Sequence, residues 1–151
     1  MDTLQFSTDI QNQILLIIAA VLWIGNISFT AGKAEGSSEV NSSAQQAMEI
    51  SCDMLGLQID SFKYALTEKR VQVGRGSVVS IKLNPSQALD SKDTLAKALY
   101  SNMFDWIILK VNDTLKTQSA PFTIGILDIF GFEVFEVNSF EQLCINYANE
   151  K

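Results

Sequence analysis

Histidine is absent from the 151-residue sequence. That removes imidazole general bases, Ser-His triads and His-ligated metals together, since histidine is the one side chain whose ordinary pKa lies near neutrality. Acid chemistry would fall to carboxylates. Basic residues are also scarce: 11 Lys and Arg against 17 Asp and Glu leave a formal charge of −6 and a pI near 4.5. No basic stripe is available to displace counterions or meet anionic headgroups, so neither nucleic acid nor an anionic membrane surface is an expected partner. The two cysteines, Cys52 and Cys144, lie far apart and lack C-x-x-C spacing. They read as reduced, buried thiols rather than a disulfide framework or metal knuckle. The one long apolar run, Ile14–Ile24, covers 11 residues, whereas a spanning helix needs about 20. A buried core helix is expected, and no transmembrane segment.

What is present reads as an alternation of helices and short extended pieces. Thr8 to Ile24 favours helix, with Ser7, Thr8 or Asp9 as N-cap candidates and Gly25-Asn26 as the stop. That helix is apolar on nearly every face beyond Ile14 and so requires neighbours all round. Ile27-Ser28-Phe29 is a short extended piece, and Ala31 to Ser43, rich in Gly, Ser and Ala, is expected to be a mobile surface loop. Ala47, Met48, Cys52 and Leu55 recur at helical spacing and stop at Gly56, which suits a left-handed position; Asp60 then caps a short helix to about Thr67.

Val71 and Val73, then Val79, Ile81 and Leu83, alternate on either side of Gly74-Arg75-Gly76 and predict a β-hairpin. Asn84-Pro85-Ser86 opens a long helix carrying Ala88, Leu95, Leu99, Met103, Trp106, Val111 and Leu115 on its apolar positions and ending near Lys116. Phe122 to Leu127 is apolar on both faces and reads as a buried strand. Asn138 or Ser139 starts a last helix, with Asn138 and Glu141 in capping-box spacing. Trp23, Trp106 and the nine phenylalanines are expected in the core.

The chemistry-bearing stretch is Phe122 to Glu133. Open α/β sheets bind ligands at the carboxyl ends of their strands, which is where Asp128 falls. An acid there suits Mg²⁺, a hard cation that keeps much of its hydration shell. Gly131, three residues on, completes D-x-x-G; lacking a Cβ, it lets a backbone N–H approach a terminal phosphate closely. By itself D-x-x-G is a weak signal. Lys33, the Gly25 to Gly32 spacing and Gly74-Arg75-Gly76 are rejected as nucleotide cradles, because no G-x-x-x-x-G-K-[ST] string occurs.

The longer string is specific. Ile124-Gly125-Ile126-Leu127-Asp128-Ile129-Phe130-Gly131-Phe132-Glu133, followed by Asn138-Ser139-Phe140-Glu141-Gln142-Leu143-Cys144-Ile145-Asn146-Tyr147-Ala148-Asn149-Glu150-Lys151, closely resembles the myosin motor domain at switch II and the start of the relay helix. Ala19 to Phe29, Leu95 to Tyr100 and Phe104-Asp105-Trp106 are similar to further segments of the same family, so the resemblance covers essentially the whole chain. Trp23, where the family often has histidine, and Lys92, where an arginine is usual, are departures that leave the resemblance standing.

The resemblance implies an α/β fold: an incomplete piece of a P-loop NTPase motor over residues 1–151, mostly helical, with a β-hairpin and one central-sheet strand. It implies ATP and Mg²⁺ as cofactors, with Asp128 near the metal through water, Gly131 contacting the γ-phosphate, and Glu133 paired with a switch I arginine. It implies an actin filament as partner, light chains on a neck outside these residues, and a cytoplasmic, cytoskeletal location. The phosphate loop and switch I are not among these residues, so the chain alone is expected to be inactive, as an internal piece of a motor that couples ATP hydrolysis to movement. The alternative is a truncated, non-catalytic product with a binding role or none.

Overall fold

A computed structural model describes residues 1, 4, 6–74, 76–116, 122, 124–126, 128 and 130–151. Two compact units are present, Met1–Lys116 and Thr117–Lys151.

The first unit is built on two helices. Helix α1, Thr8–Gly25, starts where the Ser7 hydroxyl accepts a hydrogen bond from the Ile10 N–H, so Ser7 is the cap among the three candidates. Helix α4, Pro85–Leu115, runs 31 residues, about 46 Å at 1.5 Å per residue. Its capping box is complete: Asn84 Oδ1 accepts from the Gln87 N–H while Gln87 Oε1 accepts from the Asn84 N–H, with Pro85 preset in the first turn.

Between these helices the chain forms strand β1 (Phe29–Ala31), strand β2 (Ser38–Val40), helix α2 (Gln45–Leu55), helix α3 (Ile59–Thr67), strand β3 (Glu68–Val73) and strand β4 (Ser77–Lys82). The sheets are two antiparallel hairpins, β1 with β2 and β3 with β4. In the second, Val71 faces Val79 and Glu68 faces Lys82. Gly56 ends α2 at φ +65°, the left-handed conformation that a Cβ disfavours.

One core lies where α1 meets α2 and α3: Ile24, Ile27, Met48, Cys52, Phe62 and Leu66, with Trp23, Leu95 and Leu99 packed against it. Burial pushes the Cys52 thiol up, and the neighbouring Asp53 charge adds to that. Another cluster, Phe6, Ile14 and Met103, joins the first half of α1 to the middle of α4. Lys92 ties the same two helices. It is 5% exposed, and its Nζ donates to the Gly25 carbonyl at 3.3 Å while pairing with Asp93 at 2.9 Å. An ammonium at the carbonyl end of α1 sits at the negative end of that helix's dipole.

The structure corrects several expectations. Ala31 to Ser43 is not a featureless loop: β2 returns along β1, with Ala31 opposite Ser38, and Ser42–Ala44 forms a 3₁₀ turn capped by Asn41. Ladder bonds are made by the backbone, which is why a Gly- and Ser-rich stretch hides them. Helix α3 is capped by Gln58, and Asp60 lies in its first turn. Cys144 is exposed rather than buried.

Helix α1 is itself 18 residues long and, by length and composition alone, apolar enough to cross a membrane. It carries Asp9 in its first turn and packs against α2 and α4 through Ile14, Ala20 and Ile24. Leu15, Leu16 and Leu22 remain exposed, in keeping with a helix that needs more neighbours than this unit supplies.

The second unit contains helix α5, Phe140–Glu150. The expected buried strand ahead of it is not formed by its described residues: Phe122, Ile124, Gly125 and Ile126 are outside any ladder and exposed, Ile124 by 92%. Leu127, also in that expectation, lies outside the described residues. A strand apolar on both faces requires paired neighbours on each edge, and both sheets here are hairpins of other segments. Phe130, Phe132, Phe135 and Phe140 are likewise exposed, against the expectation of core positions.

Candidate functional site

Residues 131–150 form a loop held against a helix by side-chain amides. On α5, Gln142, Asn146 and Asn149 are spaced i, i+4, i+7 and so line one face. Asn146, only 6% exposed, is the centre of the contact. Its Oδ1 accepts from the Glu133 N–H at 2.9 Å, and its Nδ2 donates to the Glu133 carbonyl at 2.8 Å. One amide thus satisfies both backbone groups of a single residue. That pairing fixes the orientation of the amide, because a flip would set N–H against N–H and oxygen against oxygen.

Gln142 extends the network. Its Nε2 donates to Asn146 Oδ1 at 3.3 Å and to Glu133 Oε2 at 3.2 Å. The half-buried Glu133 carboxylate therefore accepts from α5, and it has no cationic partner within salt-bridge distance among the described residues. Asn149 Nδ2 donates to the Gly131 carbonyl at 3.1 Å. Both the glycine and the glutamate of the sequence motif are tied to the same helix face.

A similar clamp stands at the other end of the loop. Asn138 Oδ1 accepts from the Phe135 N–H at 3.1 Å, and Asn138 Nδ2 donates to the Phe135 carbonyl at 2.7 Å. This corrects the expected capping box: Asn138 is used by the loop, and Ser139 is the N-cap of α5. Glu141, in the first turn, has its carboxyl held below the usual range by a hydrogen bond with the Ser139 side chain and, next, by its own backbone N–H. A cavity of about 490 Å³ lies between loop and helix, bordered by Phe132, Glu133, Val134, Phe140, Gln142 and Leu143.

Asp128 is exposed and engages no hydrogen bond or ion pair among the described residues. Gly131 has ordinary backbone geometry, and a Cβ built on it meets nothing within 4 Å. Among the described residues neither a turn nor packing requires glycine there, and the space beside its backbone is open. Among the described residues no group of three or more His, Cys, Asp or Glu could hold a metal ion. The donor set is one hard carboxylate oxygen. It suits a hard, strongly hydrated cation such as Mg²⁺, reached through one of its bound waters.

Sequence reading named Asp128, Gly131 and Glu133 but missed Gln142, Asn146 and Asn149. The available signal was a stripe of side-chain amides at i, i+4, i+7 spacing on one face of α5.

Comparison with known proteins agrees with the sequence reading. Residues 1–151 match the myosin head (motor domain) family. Myosin-1 of Coprinopsis cinerea is 44% identical over 156 residues, covering 100% of this chain and 12% of that protein. Myosin-1 of Vanderwaltozyma polyspora is 45% identical over 160 residues, covering 100% of this chain and 13% of its own length. Myosin-5 of Candida glabrata is 44% identical over 156 residues, again covering 100% of this chain and 13% of that protein. The chain thus spans about an eighth of the length of these relatives. With its full length matched by one family, the chain belongs to the myosin head, or motor domain, family.

Proposed function

We propose that residues 1–151 are part of a P-loop NTPase motor domain that couples ATP binding and hydrolysis to movement on actin filaments. In this reading residues 128–133 are switch II, α5 is the start of the relay helix, and the protein works on the cytoplasmic cytoskeleton with light chains on a neck outside these residues. No complete, independent domain is assigned to this stretch, in keeping with the exposed apolar residues of α1 and of residues 122–137.

The observation that carries the reading is the three-amide clamp joining Gly131 and Glu133 to one face of α5. A nucleotide sensor that drives a helix needs a mechanical link, and this is one. Asp128 would hold Mg²⁺ through water, and the Gly131 N–H would donate to the terminal phosphate. The Glu133 carboxylate would pair with a guanidinium from outside these residues and close the site around the attacking water. When bound, Mg²⁺·ATP supplies the phosphoanhydride and a divalent charge. The protein's share is positioning and preorganised electrostatics, so turnover depends on groups held in register rather than on one strong base.

The test is steady-state Mg²⁺-ATPase, with and without actin filaments, of a heavy chain carrying this segment. Glu133→Ala should abolish turnover while leaving nucleotide binding, and the 151-residue chain alone should show none. Turnover by the short chain that Glu133→Ala removes would overturn the reading.

A further inference from the structure

A polar cavity of about 260 Å³ lies between the turn of the β1–β2 hairpin, α3 and the base of the β3–β4 hairpin. Three lysines from different elements border it: Lys33 from the β1–β2 turn, Lys63 from α3 and Lys82 from the end of β4. None of the three ammonium groups has an ion-pair or hydrogen-bond partner among the described residues. Two carboxylates border the cavity as well, Glu39 and Glu68. Glu68 is already engaged, because its Oε2 accepts from the Ser80 hydroxyl, which in turn accepts from the Tyr64 hydroxyl at 2.8 Å. In a chain of net charge −6 this gathering of cations is a local feature and not a consequence of composition.

Ser38, on β2, also borders the cavity, but its Oγ is buried away from solvent and has no hydrogen-bond partner among the described residues. Two other hydroxyls on the cavity wall are satisfied: Ser37 donates to the Ala34 carbonyl at 2.6 Å, and Thr67 donates to the Lys63 carbonyl at 2.9 Å.

We propose that this cavity is a binding site for a phosphate monoester, with Lys33, Lys63 and Lys82 as its point charges. Lysine recognises phosphate as a compact charge without the planar fork that arginine brings to carboxylates. At about 30 Å³ per water, the space exceeds the need of a bare ion and takes a phosphate on a short organic arm. The site shares no residue with positions 128–133 and does not rest on the motor reading. Nor does it revive a nucleotide-cradling loop at Lys33, since its donors are side chains from three separate elements.

Lysine footprinting tests it on a heavy chain carrying this segment. Acylation at each lysine is followed by mass spectrometry at matched ionic strength with added O-phosphoserine, inorganic phosphate or chloride. The expected result is saturable protection of Lys33, Lys63 and Lys82 by O-phosphoserine, with Lys97 unaffected. Removing one charge-assisted contact by Lys63→Gln should raise the half-protecting concentration about tenfold. Equal potency of phosphate and O-phosphoserine supports the site and assigns recognition to the phosphate group alone. Protection matched by chloride, protection spread equally over Lys97, or an unchanged midpoint in Lys63→Gln would overturn the proposal.

Discussion

Truncating Asn146 to alanine removes both hydrogen bonds to the Glu133 backbone, at 2.9 and 2.8 Å, and the contact from Gln142. The two backbone bonds are the significant loss. Each contributes about 0.5–1.5 kcal/mol net, and the loop is only part-buried, so water replaces some of what is removed. A weakening of about 2 kcal/mol follows for the loop's attachment, while α5 keeps its own backbone ladder. Amide hydrogen exchange at Glu133 reads this directly, because that N–H exchanges only when the clamp opens. At 1.4 kcal/mol per tenfold, Asn146→Ala should speed exchange at Glu133 about 30-fold, with the β3–β4 hairpin amides unchanged. Asn146→Asp keeps an acceptor for the Glu133 N–H but loses the donor to its carbonyl, and should fall between. Exchange at Glu133 within threefold of the parent, with α5 still helical, would refute the clamp.

Four other outcomes are expected. Gly131→Ala should leave the melting temperature of the chain unchanged or slightly raised, because a Cβ there meets open space; in a complete motor it should nevertheless cut Mg²⁺-ATPase sharply, separating function from stability. Gly56→Ala, which forces a Cβ into φ +65°, should cost about 1 kcal/mol in urea unfolding. Lys92→Met keeps the buried stem but removes the charge-assisted bond to the Gly25 carbonyl; it should cost about 1–3 kcal/mol, the half-exposed Asp93 being free to re-solvate. Glu141 has a lowered pKa in the folded state. Its contribution is therefore present above the ordinary carboxylate pKa and lost as pH falls through the lowered value, so exchange protection at the start of α5 should drop on acidification, and Glu141→Gln should flatten that response.

Legibility tracked how local the stabilising physics was. The Asn84-Pro85 start and the Gly56 stop each act within one turn of backbone and were legible in the sequence; Ser7 was one of three cap candidates, and the Gln87 half of the capping box was not read. The β3–β4 hairpin announced itself through alternating valines about a glycine pair. The β1–β2 hairpin did not, since Ser38, Glu39 and Val40 carry no alternation strong enough to mark a face and the pairing is made by main chain. Asn138 had the right spacing for a cap, but the Phe135 peptide competed for its amide and won. Asp128, Gly131 and Glu133 were singled out by a weak D-x-x-G spacing together with the resemblance of the longer string. Their attachment was not, because an asparagine on a helix usually means only solvent. Phe122 to Ile126 shows the converse failure: a pattern can state that a segment wants burial without supplying the partners that bury it.

Under the proposed motor function, the choice of amides would limit how the clamp transmits force. An asparagine carries one acceptor and two donors without charge, so Asn146 holds both groups of the Glu133 peptide at any pH where the chain is folded. A carboxylate would hold the N–H and repel the carbonyl, and an ammonium would do the reverse. Neutral bonds are also individually weak, so the link is a set of contacts of about 0.5–1.5 kcal/mol each rather than one lock. Residues 142 to 149 span about 10 Å of helix, and the loop's pull is spread along that length. A displacement of Gly131 and Glu133 by a bound anion must then either carry α5 with it or break these contacts in turn. In that reading the helix would follow as long as moving it costs less than the clamp supplies, and the amide stripe, rather than the acid or the glycine, would set how much load the loop passes on.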